Sequence, residues 1–164
     1  MLNYPPAAAA SHTWSSNTPP IVANGDTITI STGAEAAYSS PLVIPASATV
    51  TIVGGSSSAP ISNGSRVIAI DIGVGAKVIW QAHYRGGEVL LYRAGEFELK
   101  DGSILAQSID PALSCNGPSV TVTNSIVRSA GRIALLVSNA ITLNINNSIV
   151  ETTGSGAGVF IVQE

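Results

Sequence analysis

Charge is what this sequence has least of. Only 10% of its 164 residues are charged, 7 Lys+Arg against 10 Asp+Glu, for a formal net charge of −3; soluble domains ordinarily carry about 25%. With two lysines and five arginines, the chain cannot lay down the basic stripe that nucleic-acid binding demands, so a nucleic-acid partner is excluded. Cys115 is the only cysteine, which rules out an intrachain disulfide framework or a cysteine-based metal site. It reads as a small buried apolar side chain. Long apolar runs are also missing. Crossing a bilayer takes about 20 uninterrupted residues, and the longest candidate, Val67 to Trp80, is broken by Asp71 and Lys77. The opening Met1-Leu2-Asn3-Tyr4-Pro5-Pro6 has neither a basic n-region nor an apolar h-region, so no signal peptide is expected.

What remains is β-branched and small-polar. Ile and Val total 33 against 10 Leu, beside 21 Ser, 12 Thr, 10 Asn and 16 Gly. Val, Ile and Thr lose χ1 freedom in helices and pack well on pleated surfaces, which disfavours a helix bundle or coiled coil. The 45% hydrophobic content disfavours disorder.

The chain repeats at about 22 residues, a period that points to a solenoid. Phe97-Glu-Leu-Lys-Asp-Gly-Ser-Ile-Leu105 resembles Val120-Thr-Val-Thr-Asn-Ser-Ile-Val127 and Leu143-Asn-Ile-Asn-Asn-Ser-Ile-Val150, with serines at 103, 125 and 148. A second series runs in phase: Val67–Ile70, Val89–Tyr92, Leu113–Cys115, Ile133–Val137 and Val159–Val162, with Leu90, Leu113 and Leu135 at matching positions. Short strands at this period predict a coil of three strands per turn, each pairing in parallel with its equivalent in the next coil. A leucine-rich repeat would show a Leu/Asn consensus that is missing here. The expected fold is all-β: a single-stranded right-handed parallel β-helix of about five coils over 24–164, with 1–23 as an extended leader or N-terminal cap anchored by Trp14.

The same phase predicts ladders of like residues. Asn124 and Asn147 should stack above the Asp101-Gly102 turn, since Asn tolerates the left-handed backbone such turns need. Arg66, Glu88, Asp110 and Arg132 fall at intervals of 22, and Arg128 and Glu151 are 23 apart. Such pairs on the outer surface are each worth under about 1 kcal/mol.

The first coil carries a resemblance. Asn24-Gly25-Asp26-Thr27-Ile28-Thr29-Ile30, then Pro41-Leu-Val-Ile44, then Ala48-Thr-Val-Thr-Ile-Val-Gly-Gly55 resembles the opening of the pectate-lyase-like right-handed parallel β-helix superfamily, with bacterial surface adhesins as the most similar members. The resemblance implies the fold and not a chemistry, because the superfamily spans lyases, hydrolases, tailspikes and adhesins. The Asp-Asp pair and Gly-His-Gly of its polygalacturonase-like members are missing, and no acidic cluster for calcium accompanies Asp71. His83 is the one titrating base near neutrality inside the repeat, His12 lying in the leader. No catalytic residue, metal or cofactor is expected.

The segment Lys77–Asp101 breaks the pattern, holding 8 of the chain's 17 charged residues with Trp80, Tyr84 and Tyr92. The run His83-Tyr84-Arg85-Gly86-Gly87 reads as a loop between coils. Aromatic faces beside charged groups are what a carbohydrate or peptide site uses, so Trp80, His83, Tyr84, Arg85, Tyr92 and Arg93 are the candidate ligand-binding residues. Alternatively, the same residues simply cover an exposed sheet.

Ile161-Val162-Gln163-Glu164 follows a coil's first strand with no shielding element. An open β end invites end-to-end association, and a continuation of the coil beyond Glu164 is expected. The resulting expectation is a non-catalytic module of a surface or secreted protein, acting in adhesion or as a stalk at the cell surface or outside the cell. Its partner would be a host or cell-surface glycan or protein. A fragment of a polysaccharide lyase or hydrolase and an oligomeric tailspike or fibre module are the alternatives.

Overall fold

A computed structural model describes residues 8–108, 111–139 and 142–162. Alternating apolar and small-polar residues give eighteen short strands in these segments, with no helix among the described residues. They begin with β1 (Ser11–Trp14), β2 (Thr27–Ile30) and β3 (Leu42–Ile44), followed by β4 (Thr49–Val53), β5 (Ile61–Ser62) and β6 (Ile68–Ile72). Two more coils are β7 (Lys77–Trp80), β8 (His83–Gly86) and β9 (Val89–Tyr92), then β10 (Glu96–Lys100), β11 (Ser103–Ala106) and β12 (Leu113–Asn116). The last two are β13 (Ser119–Thr123), β14 (Ile126–Ser129) and β15 (Ile133–Ser138), then β16 (Leu143–Asn146), β17 (Ile149–Thr152) and β18 (Ala157–Val162).

From β3 onward every third strand falls in the same sheet, and β1 and β2 extend the sheet of β4. The seven-stranded sheet is ordered β1-β2-β4-β7-β10-β13-β16, the five-stranded one β17-β14-β11-β8-β5, and the six-stranded one β18-β15-β12-β9-β6-β3. All strand pairs are parallel, so the chain is a β-solenoid of about 6 turns with ~23-residue spacing, one coil more than the repeat count predicts. Phe97, Val120 and Leu143 stack in register at steps of 23.

Register corrects the repeat alignment in two places. Ser103 stands opposite Ile126, while Ser125 and Ser148 share the rung of Gly102. Ser125 Oγ accepts the Gly102 amide at 3.2 Å, and Ser148 Oγ accepts that of Ser125 at 3.1 Å. The inward alternation of Ile104 and Val127 decides this, because a one-residue slip turns every side chain to the other face. For the same reason Leu113 pairs with Val89 and Leu135 rather than with Leu90.

The three sheets enclose one apolar core. Ile28, Ile52, Val78, Leu99 and Val122 project inward from the seven-stranded sheet, and Ile70, Leu91, Cys115 and Val137 from the six-stranded one. Aromatic rings fill the middle coils: Trp80 meets Tyr84 edge-on at 6.0 Å and Phe97 at 6.2 Å. Of the run 83–87, His83–Gly86 is a strand and not a loop, with His83 and Arg85 facing out while Tyr84 and Gly86 face in.

The asparagine ladder forms as the repeat predicts. Asp101, Asn124 and Asn147 have φ of 54°, 48° and 46°. Asn124 Nδ2 donates to Asp101 Oδ1 at 3.2 Å and Asn147 Nδ2 to Asn124 Oδ1 at 2.7 Å. Arg128 Nε donates to Glu151 Oε1 at 2.7 Å, the expected pair on adjacent strands. Arg66 pairs with Glu35, Nε to Oε2 at 3.5 Å; Asp110 lies outside the described residues.

Before the first full coil, β1 pairs in parallel with β2 and buries Trp14. Its attachment centres on Asp26, which is buried and accepts from the Ala10 amide at 2.7 Å, the Ala23 amide at 2.8 Å and His12 Nε2 at 2.8 Å. These bonds, led by that from Ala10, lower its pKa from 3.8 to about 2.

Candidate functional site

The six candidate residues occupy three environments. Trp80 and Tyr84 are in the core with no exposed surface, so their rings are not available to a ligand. Trp80 Nε1 donates to the Ala82 carbonyl at 2.9 Å and Tyr84 Oη to the Arg66 carbonyl at 2.6 Å. Burial raises the Tyr84 phenol to about 12, which keeps it a donor. Even period-2 spacing on β7 and β8 places both rings inward, a consequence of the strand that a loop reading of 83–87 misses.

His83 and Arg85 face outward on the five-stranded sheet. His83 Nδ1 lies 3.1 Å from Ser103 Oγ. No carboxylate orients this imidazole for acid–base work: among the described residues it has no ion-pair partner within 4 Å.

Tyr92 and Arg93 lie at the far end of β9, on the outer side of the six-stranded sheet, and two residues outside the predicted set join them. Asp71 on β6 is the register partner of Tyr92, and Tyr38 precedes β3. The Tyr38 and Tyr92 rings are 5.0 Å apart at 39°, with a long 3.5 Å hydrogen bond from Tyr92 Oη to the Tyr38 carbonyl. Arg93 Nε lies 2.9 Å from Asp71 Oδ1, close enough for an ion pair but not aligned as a hydrogen bond. The carboxylate is almost fully buried, whereas the guanidinium is 65% exposed. Burial, with the Asp71 charge second, raises the Tyr92 phenol above its ordinary value.

Arg93 takes a left-handed backbone, φ 73°, which costs a non-glycine residue about 1 kcal/mol. This turn directs its side chain back toward Asp71. Tyr38 is 69% exposed, so the cluster presents an aromatic face bordered by the Arg93 cation, which the buried Asp71 carboxylate holds in place. Such an arrangement covers an apolar ligand face and orients polar groups at its rim. Sequence reading missed Tyr38 because it sits 54 residues from Tyr92, in a segment with no repeat signal. Asp71 was visible as an isolated acid without its partner.

Among the described residues no group of three or more His, Cys, Asp or Glu is placed to hold a metal ion. Burial, reinforced by the Glu88 charge, pushes the Cys115 thiol well above its ordinary pKa, leaving it protonated and inert at neutral pH. Among the described residues no helix is long and apolar enough to cross a membrane.

No protein family, curated protein or solved structure matches this chain. The parallel β-solenoid defines its class.

Proposed function

We propose that this chain is a non-catalytic β-solenoid module of a secreted or cell-surface protein, related to the pectate-lyase-like superfamily and working in adhesion or as a stalk. Its contact surface is the Tyr38–Tyr92 cluster and its ligand a carbohydrate. The observation that carries this reading is the exposed Tyr38 set 5.0 Å from the half-buried Tyr92, beside the Asp71–Arg93 ion pair. Aromatic rings cover the apolar faces of sugars, and the exposed Arg93 guanidinium, fixed by the buried Asp71 carboxylate, offers donor positions to hydroxyls. Parallel sheets stacked around one core hold that cluster on a stiff support, as a stalk or adhesive module requires.

A glycan array probed with the protein and with Tyr38→Ala and Tyr92→Ala tests it. Each substitution should weaken binding about tenfold, the equivalent of one lost ring contact, while the thermal melt of Tyr38→Ala stays unchanged. Binding retained in both variants overturns the site, and turnover of a glycan overturns the non-catalytic reading.

A further inference from the structure

The five-stranded sheet carries a second surface, away from the tyrosine cluster. Arg85, Leu105 and Arg128 stand on consecutive rungs of β8, β11 and β14, and two adjoining clefts of about 330 Å³ each share all three residues. Ile126 adds to the aliphatic floor. Among the described residues Arg85 forms no ion pair. Among the described residues Arg128 pairs with Glu151, at a half-exposed contact. Asp101, which lines one cleft, is tied to the Asn124 amide. Among the described residues Arg85 is thus the groove's one arginine without a carboxylate partner, set beside the Leu105 and Ile126 side chains.

We propose that the groove docks an acidic, proline-rich segment of a partner protein in the polyproline II conformation, its carboxylates engaging Arg85 and Arg128. The unpaired Arg85 favours an anionic occupant, which can also compete with Glu151 for Arg128, and guanidinium groups favour carboxylates that accept two parallel hydrogen bonds. The aliphatic floor favours peptide side chains and proline rings over sugars, because the broad Tyr84 ring of β8 lies beneath the sheet and only the smaller His83 imidazole reaches the cleft.

Spacing selects the conformation. Two rungs of a parallel sheet separate Arg85 from Arg128 by about 9.6 Å. A polyproline II helix repeats its facing side chain every third residue, about 9.3 Å along the axis. An extended strand would place same-side residues only about 6.7 Å apart. A polyproline II segment also arrives with little entropy left to lose.

Fluorescence anisotropy with a labelled peptide of four Glu-Pro-Leu triplets tests this, alongside the same peptide with Gln for Glu and a heparin oligosaccharide. The acidic peptide should bind saturably and weaken with added salt, and the Gln peptide should bind at least about tenfold less tightly. Arg85→Ala should weaken the acidic peptide about tenfold without moving the thermal melt, since the side chain is exposed. Glu151→Gln should tighten it severalfold by releasing Arg128 from its internal competitor. Absence of saturable binding, equal binding of the Gln peptide, or indifference to Arg85→Ala in a folded variant overturns the proposal. Heparin binding with the same Arg85 dependence and no peptide binding overturns it too, and reassigns the groove to an acidic glycan.

Discussion

Asn147 donates its side-chain amide to Oδ1 of Asn124 at 2.7 Å, one coil away, while both backbones sit in the left-handed region at φ 46° and 48°. A single residue type thus meets two demands of the turn: a backbone that most L-residues resist and a hydrogen bond passed along the solenoid axis. Substitutions separate the two. Asn124→Gly keeps the turn and loses only the exposed ladder bonds, for about 0.5–1 kcal/mol. Asn124→Ala adds left-handed strain and should cost about 2 kcal/mol in all. Urea midpoints that rank Gly below Ala would remove the conformational half of the argument.

Tyr84 and Gly86 share one inward pocket. A side chain at 86 would collide with the Tyr84 hydroxyl and ring, so Gly86→Ala should destabilise by about 2–3 kcal/mol. Tyr84→Phe removes one of two donors to the Arg66 carbonyl, which keeps the Gly87 amide at 3.0 Å, and should cost about 0.5–1.5 kcal/mol. The double variant should be more stable than the two losses summed, because the absent hydroxyl vacates part of the space that the added methyl group needs. Simple additivity in denaturant titrations would show that the two residues do not contend for the same volume.

Acid should loosen the N-terminal strand first. The Asp26 carboxylate titrates at about 2 in the fold against an ordinary 3.8, so its contribution is complete above 3.8 and is lost as pH falls through about 2. Amide exchange at Ala10 and Ala23 should therefore accelerate between these pH values. In Asp26→Asn the exchange should already be faster at pH 7, and that acid-dependent step should vanish. Unchanged protection in that variant would assign the attachment of β1 to Trp14 burial alone.

At the tyrosine cluster, Arg93→Gly removes left-handed strain of about 1 kcal/mol but strands the buried Asp71 carboxylate, a loss of about 1–3 kcal/mol. The net effect should be mild destabilisation, reversed when Asp71→Ala is added. A stabilised Arg93→Gly single variant would mean that Asp71 is satisfied without the guanidinium.

The fold was legible because a solenoid writes its period into the chain. Phe97, Val120 and Leu143 contact one another through the repeat itself, and so do Asp101, Asn124 and Asn147. The site was legible only in part. Tyr92 and Arg93 stood out by residue type, yet Trp80 and Tyr84 stood out for the same reason and are core residues. Composition marks a segment as unusual, whereas inward or outward direction depends on strand phase, which shifts with a single residue.

The scarcity of charge and the excess of Ile, Val, Ser, Thr and Asn determined that this chain forms short strands, and the period of about 22 residues that they stack in parallel coils. Local alternation and turn chemistry act over a few residues, and a periodic sequence multiplies them. Tertiary structure decided the rest: the one-residue register that sets Ser125 above Gly102, the His12–Asp26 contact across 14 residues, and the meeting of Tyr38 with Tyr92. The last two join segments outside the repeat to segments within it or to one another, so no periodic signal encodes them. All three exist only once the core has closed and fixed which way each side chain points.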